Sequence, residues 1–458
     1  VIRIDPQTPT PDYNVLEIEK KLIEITRSWR DELCAILLEH YGEERGTQLY
    51  NRYSKAFPAS YREDFEPRIA VADIKYIEKV LDGEKLGMGV YRPLSGSECT
   101  LHFKIFQKGE SVPLSDVIPI LENMGLRVLD ERPYEVRPSG SDSVWINDFD
   151  MVLDQGEGLN TTLVKYIFKD AFAKLWFNEA ENDGFNRLIL NALLTWREAA
   201  LLRSYARYLK QIAITYSQYY IERTFATYPD IAKQLVQLFK LRFDPALANN
   251  SEAEIASLNK EFEKSLDKVI SLDEERILRC YHALIYATLR TNYFQDAADG
   301  EAKSYISFKL APENIPNIPL PRPKYEIFVY SPEFEGVHLR SDKVARGGLR
   351  WSDRTEDFRT EVLGLMKAQS VKNAVIVPAG AKGGFVLKRP PLTEGRDALM
   401  KTVTTCYKNF LRGMLDITDN LVDNKVEPPH DVVRYDDDDI YLVVAADKGT
   451  ATFSDIAN

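Results

Sequence analysis

Cysteine and histidine are scarce in this chain, and neither is grouped as a metal site requires. The four cysteines lie far apart without a C-x-x-C pair, at Cys34, Cys99, Cys280 and Cys406. This spacing indicates neither a disulfide scaffold nor a zinc site. The five histidines are equally scattered and show no H-x-x-x-H spacing. We therefore expect no bound metal, and a reducing cytoplasm is the simplest compartment.

Long apolar runs, a secretion signal and a Walker loop are also missing. No apolar run approaches the roughly 18 residues that span a bilayer, so no membrane partner is expected. The N-terminal residues lack the basic start and apolar stretch of a signal peptide. No G-x-x-x-x-G-K-[ST] occurs, which excludes a Walker loop. The chain starts at Val1 without methionine and ends abruptly at Asn458, so we expect an excised piece of a longer polypeptide.

The composition is that of an ordinary globular protein with a net negative charge. Apolar residues make up 44% and charged residues 28% of the 458 residues, and the formal net charge is -11. A chain of this length exceeds one compact core, and we expect two to four domains. Its acidity argues against a nucleic-acid partner, because nucleic acid normally needs a basic face on a basic domain.

Residues 340–389 depart from this acidic balance. They contain eleven Lys or Arg side chains against five acidic ones, a local charge of +6. A positive island in an acidic protein favours a small anionic ligand. Two glycine pairs lie inside it, Gly347-Gly348 and Gly383-Gly384, and each directly follows a cation, Arg346 or Lys382.

Apolar periodicity predicts a multi-domain chain of mixed α+β class. We delimit four regions: helical at 1–97, α+β at 98–156, helical at 157–300 and α/β at 301–458. The aromatic residues of the third region are interpreted as core or interface rather than as a base-stacking platform. Helices are predicted from the 3.6-residue period over 15–42, 48–55, 71–81, 255–270 and 273–293.

The second region has a distinctive element order. Strand 100–107, helix 115–123 and strands 126–136 and 144–153 follow one another, which is part of a ferredoxin-like split unit. This order resembles an ACT-type module, a small fold that often binds amino acids in metabolic enzymes. The resemblance implies an amino-acid effector. A purely structural α+β domain explains the pattern equally well.

The fourth region places the glycine pairs near strand ends. Strands are predicted at 305–310, 325–330 and 337–340, and the first glycine pair follows the last of them, where ligand sites of α/β sheets collect. A helix carrying Gln369 and Lys372 comes next, then a strand at 375–377 and a turn at 378–381 that presents Lys382. Glycine lets backbone amides approach a ligand, and three converging cations, Arg346, Lys372 and Lys382, suit a dicarboxylate.

Lys382 is a candidate proton-transfer group. A partly buried lysine close to other cations exchanges protons near neutral pH, because its ammonium form is disfavoured. The structural alternative is that Lys382 is a solvated loop lysine and GAKGG an ordinary turn. Taken without further context, the residues favour that alternative.

Two long segments resemble a known family. VARGGLRWSDRTEDFRTEVLGLMKAQSVKNAVIVPAGAKGGFV at 344–386 resembles the substrate-binding signature of glutamate dehydrogenases, in the form typical of the large bacterial NAD-specific enzymes. YLVVAADKGTATFSDIAN at 441–458 is similar to the segment that follows in the same family. The resemblance implies NAD-dependent oxidative deamination of L-glutamate to 2-oxoglutarate and ammonium. It also implies that residues before 300 are regulatory and helical regions.

The resemblance assigns roles residue by residue. Lys382 corresponds to the catalytic lysine that polarises the substrate carbonyl or activates water, and Asp447 to the acid that moves protons to and from the amino group. Gln369 and Lys372 match substrate-binding positions, with Lys372 on the α-carboxylate. Arg346 stands where the small hexameric enzymes have a lysine for the distal carboxylate, with Gly347 and Gly348 beside it.

A dinucleotide-binding motif is missing from these residues. No G-x-G-x-x-G follows a predicted strand, and the family places its Rossmann domain after the Asp447 segment, where this chain stops. We therefore expect a fragment with the substrate half of the site, inactive alone, with NAD bound mainly by the missing C-terminal domain. A homo-oligomer is expected. The alternative is a non-catalytic amino-acid-sensing or scaffolding protein built around the ACT-like module.

Overall fold

The computed structural model describes most of the chain as two compact units of mixed α and β structure. The described residues are 28–92, 100–153, 161–212, 214, 216–248, 251–372, 379–391, 393, 395–447 and 450–456. The first unit comprises the described residues up to 153 apart from Asn123–Gly125, and the second comprises Asn123–Gly125 and the described residues from 161 onward.

The first unit begins with three helices. They are α1 (Trp29–Tyr53), α2 (Ala59–Asp64) and α3 (Pro67–Leu81). Ser28 caps α1 through its side chain, which accepts a hydrogen bond from the Asp31 N–H, and Ser28 itself is extended. The prediction of one helix running through 15–42 is therefore wrong at Ser28, and its earlier part lies outside the described residues. Gly42, with a φ of 78°, marks a break where a second helical run joins the first.

A four-stranded antiparallel sheet completes the first unit. Its elements are β1 (Gly87–Tyr91), β2 (Thr100–Lys108), α4 (Leu114–Asn123), β3 (Leu126–Val136) and β4 (Val144–Leu153), with strand order β1-β2-β4-β3. The predicted strand, helix, strand, strand order is confirmed. The first strand was missed because its sequence, GMGVY, has little β propensity. Ile74 and Ile77 of α3 share a buried cluster with Phe106 and Ile146 of the sheet.

Helices dominate the first half of the second unit. They are α5 (Thr161–Trp176), α6 (Arg187–Asn191), α7 (Trp196–Gln211), α8 (Gln218–Thr227), α9 (Pro229–Phe243), α10 (Glu252–Leu266) and α11 (Leu272–Ala287). Many of their aromatic rings are core, as predicted, since Phe185, Tyr205 and Phe239 are buried in one cluster. The predicted helix over 273–293 is wrong at its end, because the chain turns into a strand at Thr288.

A seven-stranded mixed sheet forms the second half of this unit. Its strands are β5 (Thr288–Thr291), β6 (Ile306–Leu310), β7 (Tyr325–Tyr330), β8 (Phe334–Arg340), β9 (Arg346–Trp351), β10 (Ala381–Leu387) and, after a small hairpin of β11 (Asn420–Val422) and β12 (Lys425–Glu427), β13 (Val443–Ala446). The order is β13-β9-β10-β8-β7-β6-β5. Only the β13-β9-β10 pairs are parallel. The three strands predicted in this region are confirmed as β6, β7 and β8.

Two helices cover opposite faces of the seven-stranded sheet. On one face α12 (Phe358–Lys372) shares a buried cluster with Val386 through Phe358 and Val362. On the other face α13 (Arg396–Leu415) packs with Phe385 through Tyr407. The sheet is therefore enclosed, which explains why β6, β7, β8 and β10 are buried almost throughout.

The second glycine pair lies inside this sheet, so the structural alternative of GAKGG as an ordinary turn is wrong, and the turn predicted at 378–381 is wrong at Ala381. Gly383 and Gly384 belong to β10. A Cβ at Gly383 would lie 2.3 Å from a methyl carbon of Leu349, and one at Gly384 would lie 2.7 Å from a methyl carbon of Val362. The glycines thus allow β9 and α12 to pack closely against β10. The predicted strand at 375–377 lies outside the described residues.

Candidate active site

The central feature of the site is an ion pair between Lys382 and Asp447. Lys382 Nζ lies 2.5 Å from Asp447 Oδ2, and the two side chains are 18% and 29% exposed. Lys382 is the second residue of β10, and Asp447 directly follows β13. Parallel strand β9 lies between them. The pair is therefore partly shielded from water and still open to a small ligand.

Gly348 of β9 is what allows the two side chains to meet. Ala445 of β13 pairs with Gly348 of β9, so the Lys382–Asp447 ion pair crosses β9 close to Gly348. A Cβ on Gly348 would lie 2.9 Å from Asp447 Cβ and 3.2 Å from its Cγ, closer than real Cβ contacts. Because glycine has no Cβ, the Asp447 side chain can lie across β9 and reach Lys382.

Gly347 has a purely local packing role in the structure. A Cβ there would lie 1.5 Å from the carbonyl oxygen of Ala381, which is backbone and cannot move aside. The first glycine pair therefore serves strand packing and the Asp447 approach. Direct contact of Gly347 or Gly348 with a substrate stays a prediction.

Gln369 connects α12 to the start of β9. Its Nε2 donates a hydrogen bond of 2.9 Å to the carbonyl oxygen of Arg346. Its Oε1 is buried and has no hydrogen-bond partner among the described residues. A buried acceptor without a donor costs free energy unless something supplies the donor, so this oxygen is ready to accept from a ligand.

The structure gives less detail on the other two predicted cations, Arg346 and Lys372. The Arg346 side chain is exposed, and its backbone pairs with Val443 and bridges to Gly380, two residues before Lys382 in the chain. Lys372 is the last residue of α12, and its side chain lies outside the described part. Lys382 contacts the carboxylate of Asp447, and its convergence with Lys372 stays a prediction.

The positive island is mostly neutralised by acids of this unit, which the count of charges had not revealed. Seven of its cations have acidic partners in the structure, namely Arg340, Arg350, Arg354, Arg359, Lys382, Lys388 and Arg389. The most buried of these pairs joins Arg359 to Glu326, with a distance of 2.7 Å from Nε to Oε1. The stretch is therefore not an open cationic surface, and any anion selectivity comes from individual side chains.

Thr450 is a buried contact of Asp447 that the sequence analysis missed. The Asp447 N–H donates a 2.8 Å hydrogen bond to Thr450 Oγ1, and Thr450 Oγ1 donates one of 2.7 Å to the carbonyl oxygen of Leu349. The available signal was a hydroxyl residue three positions after a strand-end acid, where side chains often replace backbone hydrogen bonds.

Buried ion pairs anchor the segment that leads into β13. Arg290, Lys309 and Arg340 project from β5, β6 and β8 and are almost wholly buried. They bind three buried or nearly buried aspartates, Asp419, Asp436 and Asp439. This cluster is called the aspartate anchor below.

The electrostatics of the aspartate anchor are dominated by Asp439. Lys309 Nζ lies 2.5 Å from its Oδ2, and Arg340 Nη1 donates 3.0 Å to its Oδ1. Burial raises the pKa of Asp439, but the hydrogen bonds and charges of Arg340 and Lys309 outweigh burial and hold that pKa well below its ordinary value. Burial lowers the pKa of Lys309, against the opposing charges of Asp436 and Asp439.

The described residues hold neither a metal-binding group of side chains nor a membrane-spanning helix. No group of three or more His, Cys, Asp or Glu side chains there is arranged to hold a metal ion. No helix among them is both long and apolar enough to cross a bilayer.

The fold and the site together define an α/β domain with a lysine–aspartate pair held by two strands that both run parallel to β9. Residues 261–458 match the family model of the bacterial NAD-glutamate dehydrogenase catalytic domain. Three further glutamate dehydrogenase models match upstream: helical motif 2 at 36–80, the ACT3 domain at 85–164 and helical motif 3 at 180–245. The four matches follow one another along the chain.

Similar proteins carry the same description. The NAD-specific glutamate dehydrogenase of Halomonas elongata is 52% identical over 458 residues, which cover 100% of this chain and 28% of that protein. The enzyme of that name from Pseudomonas aeruginosa is 51% identical over 461 residues, with coverage of 100% and 28%. That of Mycobacterium tuberculosis is 43% identical, with coverage of 99% and 28%. The chain is similar over its whole length to NAD-specific glutamate dehydrogenases, and it spans 28% of the length of these curated relatives.

Proposed function

We propose that the protein carrying this chain oxidatively deaminates L-glutamate to 2-oxoglutarate and ammonium with NAD, and that this chain supplies the substrate half of the site. The observation that carries the proposal is the half-buried contact between Lys382 and Asp447, inside the segment that matches the catalytic-domain model. A cation and a carboxylate in contact are suited to moving protons on a substrate bound between them.

The two side chains divide the proton chemistry. Asp447 accepts a proton from the α-ammonium group of glutamate, which leaves a free amine lone pair to assist loss of hydride from the α-carbon. NAD bound to the longer protein would supply the acceptor for that hydride. The Lys382 ammonium then stabilises the oxygen of the water that adds to the resulting iminium carbon. Both protons of that water pass to the nitrogen as the C–N bond breaks, so ammonium leaves and 2-oxoglutarate remains.

Substrate binding is assigned to three further positions. Arg346 holds the distal carboxylate, for which a guanidinium offers two parallel donors, and Lys372 holds the α-carboxylate. Gln369 contributes its buried, unpartnered Oε1, which accepts from the α-ammonium group. The exposure of Arg346 supports this assignment, since that side chain is free to turn toward a ligand.

The described residues of this chain do not fit a dinucleotide. Both glycine pairs are filled by neighbouring atoms, with Ala381, Leu349 and Val362 occupying the space of the missing Cβ atoms, so they form no cradle for a pyrophosphate. We therefore assign NAD binding mainly to a Rossmann-type part of the longer protein. The division into four domains, with limits at 97, 156 and 300, stays a prediction. Assembly as a homo-oligomer and a cytoplasmic location also stay predictions.

A second role is favoured by the match of residues 85–164 to the ACT3 domain model. Folds resembling ACT modules often bind amino acids, and the four-stranded sheet of the first unit would offer such a site. Calorimetry with a panel of amino acids tests this role. Binding that persists when Lys382 is replaced by Ala would place the effector outside the proposed active site.

The proposed function is tested by Asp447→Asn in the full-length enzyme. The asparagine keeps the shape of the side chain but cannot accept the proton, so we expect kcat for glutamate to fall about 10²–10⁴-fold. The measurement is NADH formation at saturating glutamate and NAD. Unchanged turnover in the variant would contradict the role of Asp447, and a wild-type protein that oxidises no glutamate would contradict the function itself.

A further inference from the structure

We infer that Thr450 is a positioning residue for Asp447, whose side-chain hydroxyl fixes the carboxylate against Lys382. The inference rests on the proposed function, which makes the Lys382–Asp447 pair the reacting part of the site. It depends on three features of the structure: where β13 ends, what Thr450 binds and how deeply it is buried.

Strand β13 stops at the point where its catalytic side chain must turn inward. Its ladder with β9 runs from Val443 to Ala446, and Ala446 pairs with Leu349. The ladder stops at Ala446 and Leu349, and the hydrogen bonds of Thr450 to the Asp447 N–H and the Leu349 carbonyl come from outside it. Buried backbone groups of this kind need another partner, because leaving them without one is costly.

The Thr450 hydroxyl bonds to the Asp447 N–H and to the Leu349 carbonyl at once. It accepts from the Asp447 N–H at 2.8 Å and donates to the Leu349 carbonyl at 2.7 Å, and the Thr450 N–H donates to the Asp447 carbonyl at 3.0 Å. A hydroxyl is suited to this because it is both donor and acceptor. Asp447 is thereby tied at its N–H and its carbonyl, and the tie runs to the strand that carries Gly348.

The geometry leaves Asp447 little freedom. Thr450 is 0% exposed, so water does not compete for its hydroxyl. On the other side the Asp447 Cβ lies 2.9 Å from where a Cβ of Gly348 would be. The side chain is thus held in a channel over Gly348, with its carboxylate 2.5 Å from Lys382 Nζ. Removing the hydroxyl removes the hydrogen bond to the Asp447 N–H and its link to β9, and so loosens the placement of the carboxylate.

The test compares three variants of the full-length enzyme. Thr450→Val keeps the side-chain shape without the hydroxyl, and Thr450→Ser keeps the hydroxyl. Thr288→Val is the matched control: Thr288 is also 0% exposed, its hydroxyl donates to the Leu284 carbonyl at 2.8 Å and bonds to Tyr205, and it lies on β5 at the opposite edge of the sheet.

For glutamate oxidation we expect Thr450→Val to lower kcat about 10- to 100-fold, because a carboxylate misplaced by about 1 Å loses that much. KM should stay within about twofold. Thr450→Ser should restore kcat to near the wild-type value, and Thr288→Val should keep it even if its Tm falls. A kcat for Thr450→Val equal to that of wild type, or lowered no more than in Thr288→Val, would overturn the inference.

A second measurement needs no turnover and separates this inference from the proposed function. Reductive methylation of Lys382, followed by peptide mass spectrometry, reports how well Asp447 holds the lysine. Thr450→Val should label several-fold faster than wild type, and Thr450→Ser and Thr288→Val at the wild-type rate. Equal labelling in wild type and Thr450→Val would refute the positioning role whether or not the enzyme oxidises glutamate.

Discussion

At the scale of single residues, glycine decides more of this site than charge does. Gly347 and Gly348 are adjacent, yet the atoms that crowd them differ in kind. The space beside Gly347 is taken by a backbone carbonyl of Ala381, and the space beside Gly348 by the side chain of Asp447. A side chain can rotate away and a strand backbone cannot, so the same substitution should have different consequences at the two positions.

We therefore predict a split between Gly348→Ala and Gly347→Ala. The methyl group at 348 pushes Asp447 off Lys382, so we expect folded protein with kcat about 10- to 100-fold lower. The methyl group at 347 overlaps Ala381 and should destabilise the fold by about 3 kcal/mol. Steady-state kinetics and chemical denaturation measure the two effects. Normal kcat in Gly348→Ala would show that Asp447 does not depend on the missing Cβ.

Single residues were also the level at which the sequence was most and least informative. Lys382, Asp447 and Gln369 were found through the family resemblance, and the structure brings Lys382 and Asp447 into contact. Thr450 was not predicted, because its proposed role depends on where β13 ends and on which carbonyl of β9 accepts its hydroxyl. That information is in the strand register and not in local spacing.

At the scale of elements, the short strand β13 depends on the aspartate anchor that precedes it. Asp436 and Asp439 of the acidic run are tied to Arg290, Lys309 and Arg340 of three other strands. In sequence the run RYDDDD resembles a solvated acidic loop. Its first and last aspartates are instead held against buried cations that lie from about 95 to 150 residues earlier in the chain, a pairing that no local pattern predicts.

Asp439→Asn is expected to destabilise the second unit by about 3–5 kcal/mol, because it removes the counter-charge of the buried Arg340 and one of the two that Lys309 contacts. Asp437→Asn is the matched control in the same run: the Asp437 side chain is exposed, and its backbone carbonyl serves Arg290. It should change stability by no more than about 0.5 kcal/mol. Urea denaturation at pH 7 measures both, and equal midpoints would argue against the anchor.

The anchor also has a pH signature with a definite sign. The folded-state pKa of Asp439 is held below its unfolded value, so its contribution to stability is present above the unfolded value of about 4 and is lost as pH falls below that. The stability gap between wild type and Asp439→Asn should therefore narrow between pH 5 and pH 3. A gap that widens over this range would show that Asp439 is not the ionised partner.

Predicted elements were reliable where periodicity was strong and tertiary contacts agreed with it. The strands at β6, β7 and β8 and the order within residues 98–156 are confirmed for this reason. In the structural alternative the GAKGG segment is a turn, because glycine is a turn former on local grounds. In the structure it is a strand, since Leu349 and Val362 pack into the space its glycines leave. The end of α11 was missed for a similar reason, as β5 pairs with β6 far along the chain.

At the scale of the whole molecule, net charge was the weakest guide. The chain carries -11 overall, and its +6 stretch was expected to attract an anion. Most of those cations form ion pairs within the second unit. They therefore stabilise the structure or, in Lys382, contact Asp447. The family match covers nearly the whole chain, and the curated relatives are more than three times as long. The proposed reaction thus needs the longer protein.

The most direct test of the proposed substrate half-site is the turnover of Lys382→Ala in that longer protein. The proposed mechanism predicts that kcat for glutamate falls about 10²–10⁴-fold with an unchanged Tm, because the ammonium group that stabilises the substrate oxygen is gone. Lys367→Ala, an exposed lysine of α12, should oxidise glutamate like wild type. Near-normal glutamate oxidation by Lys382→Ala would contradict the assignment of the site.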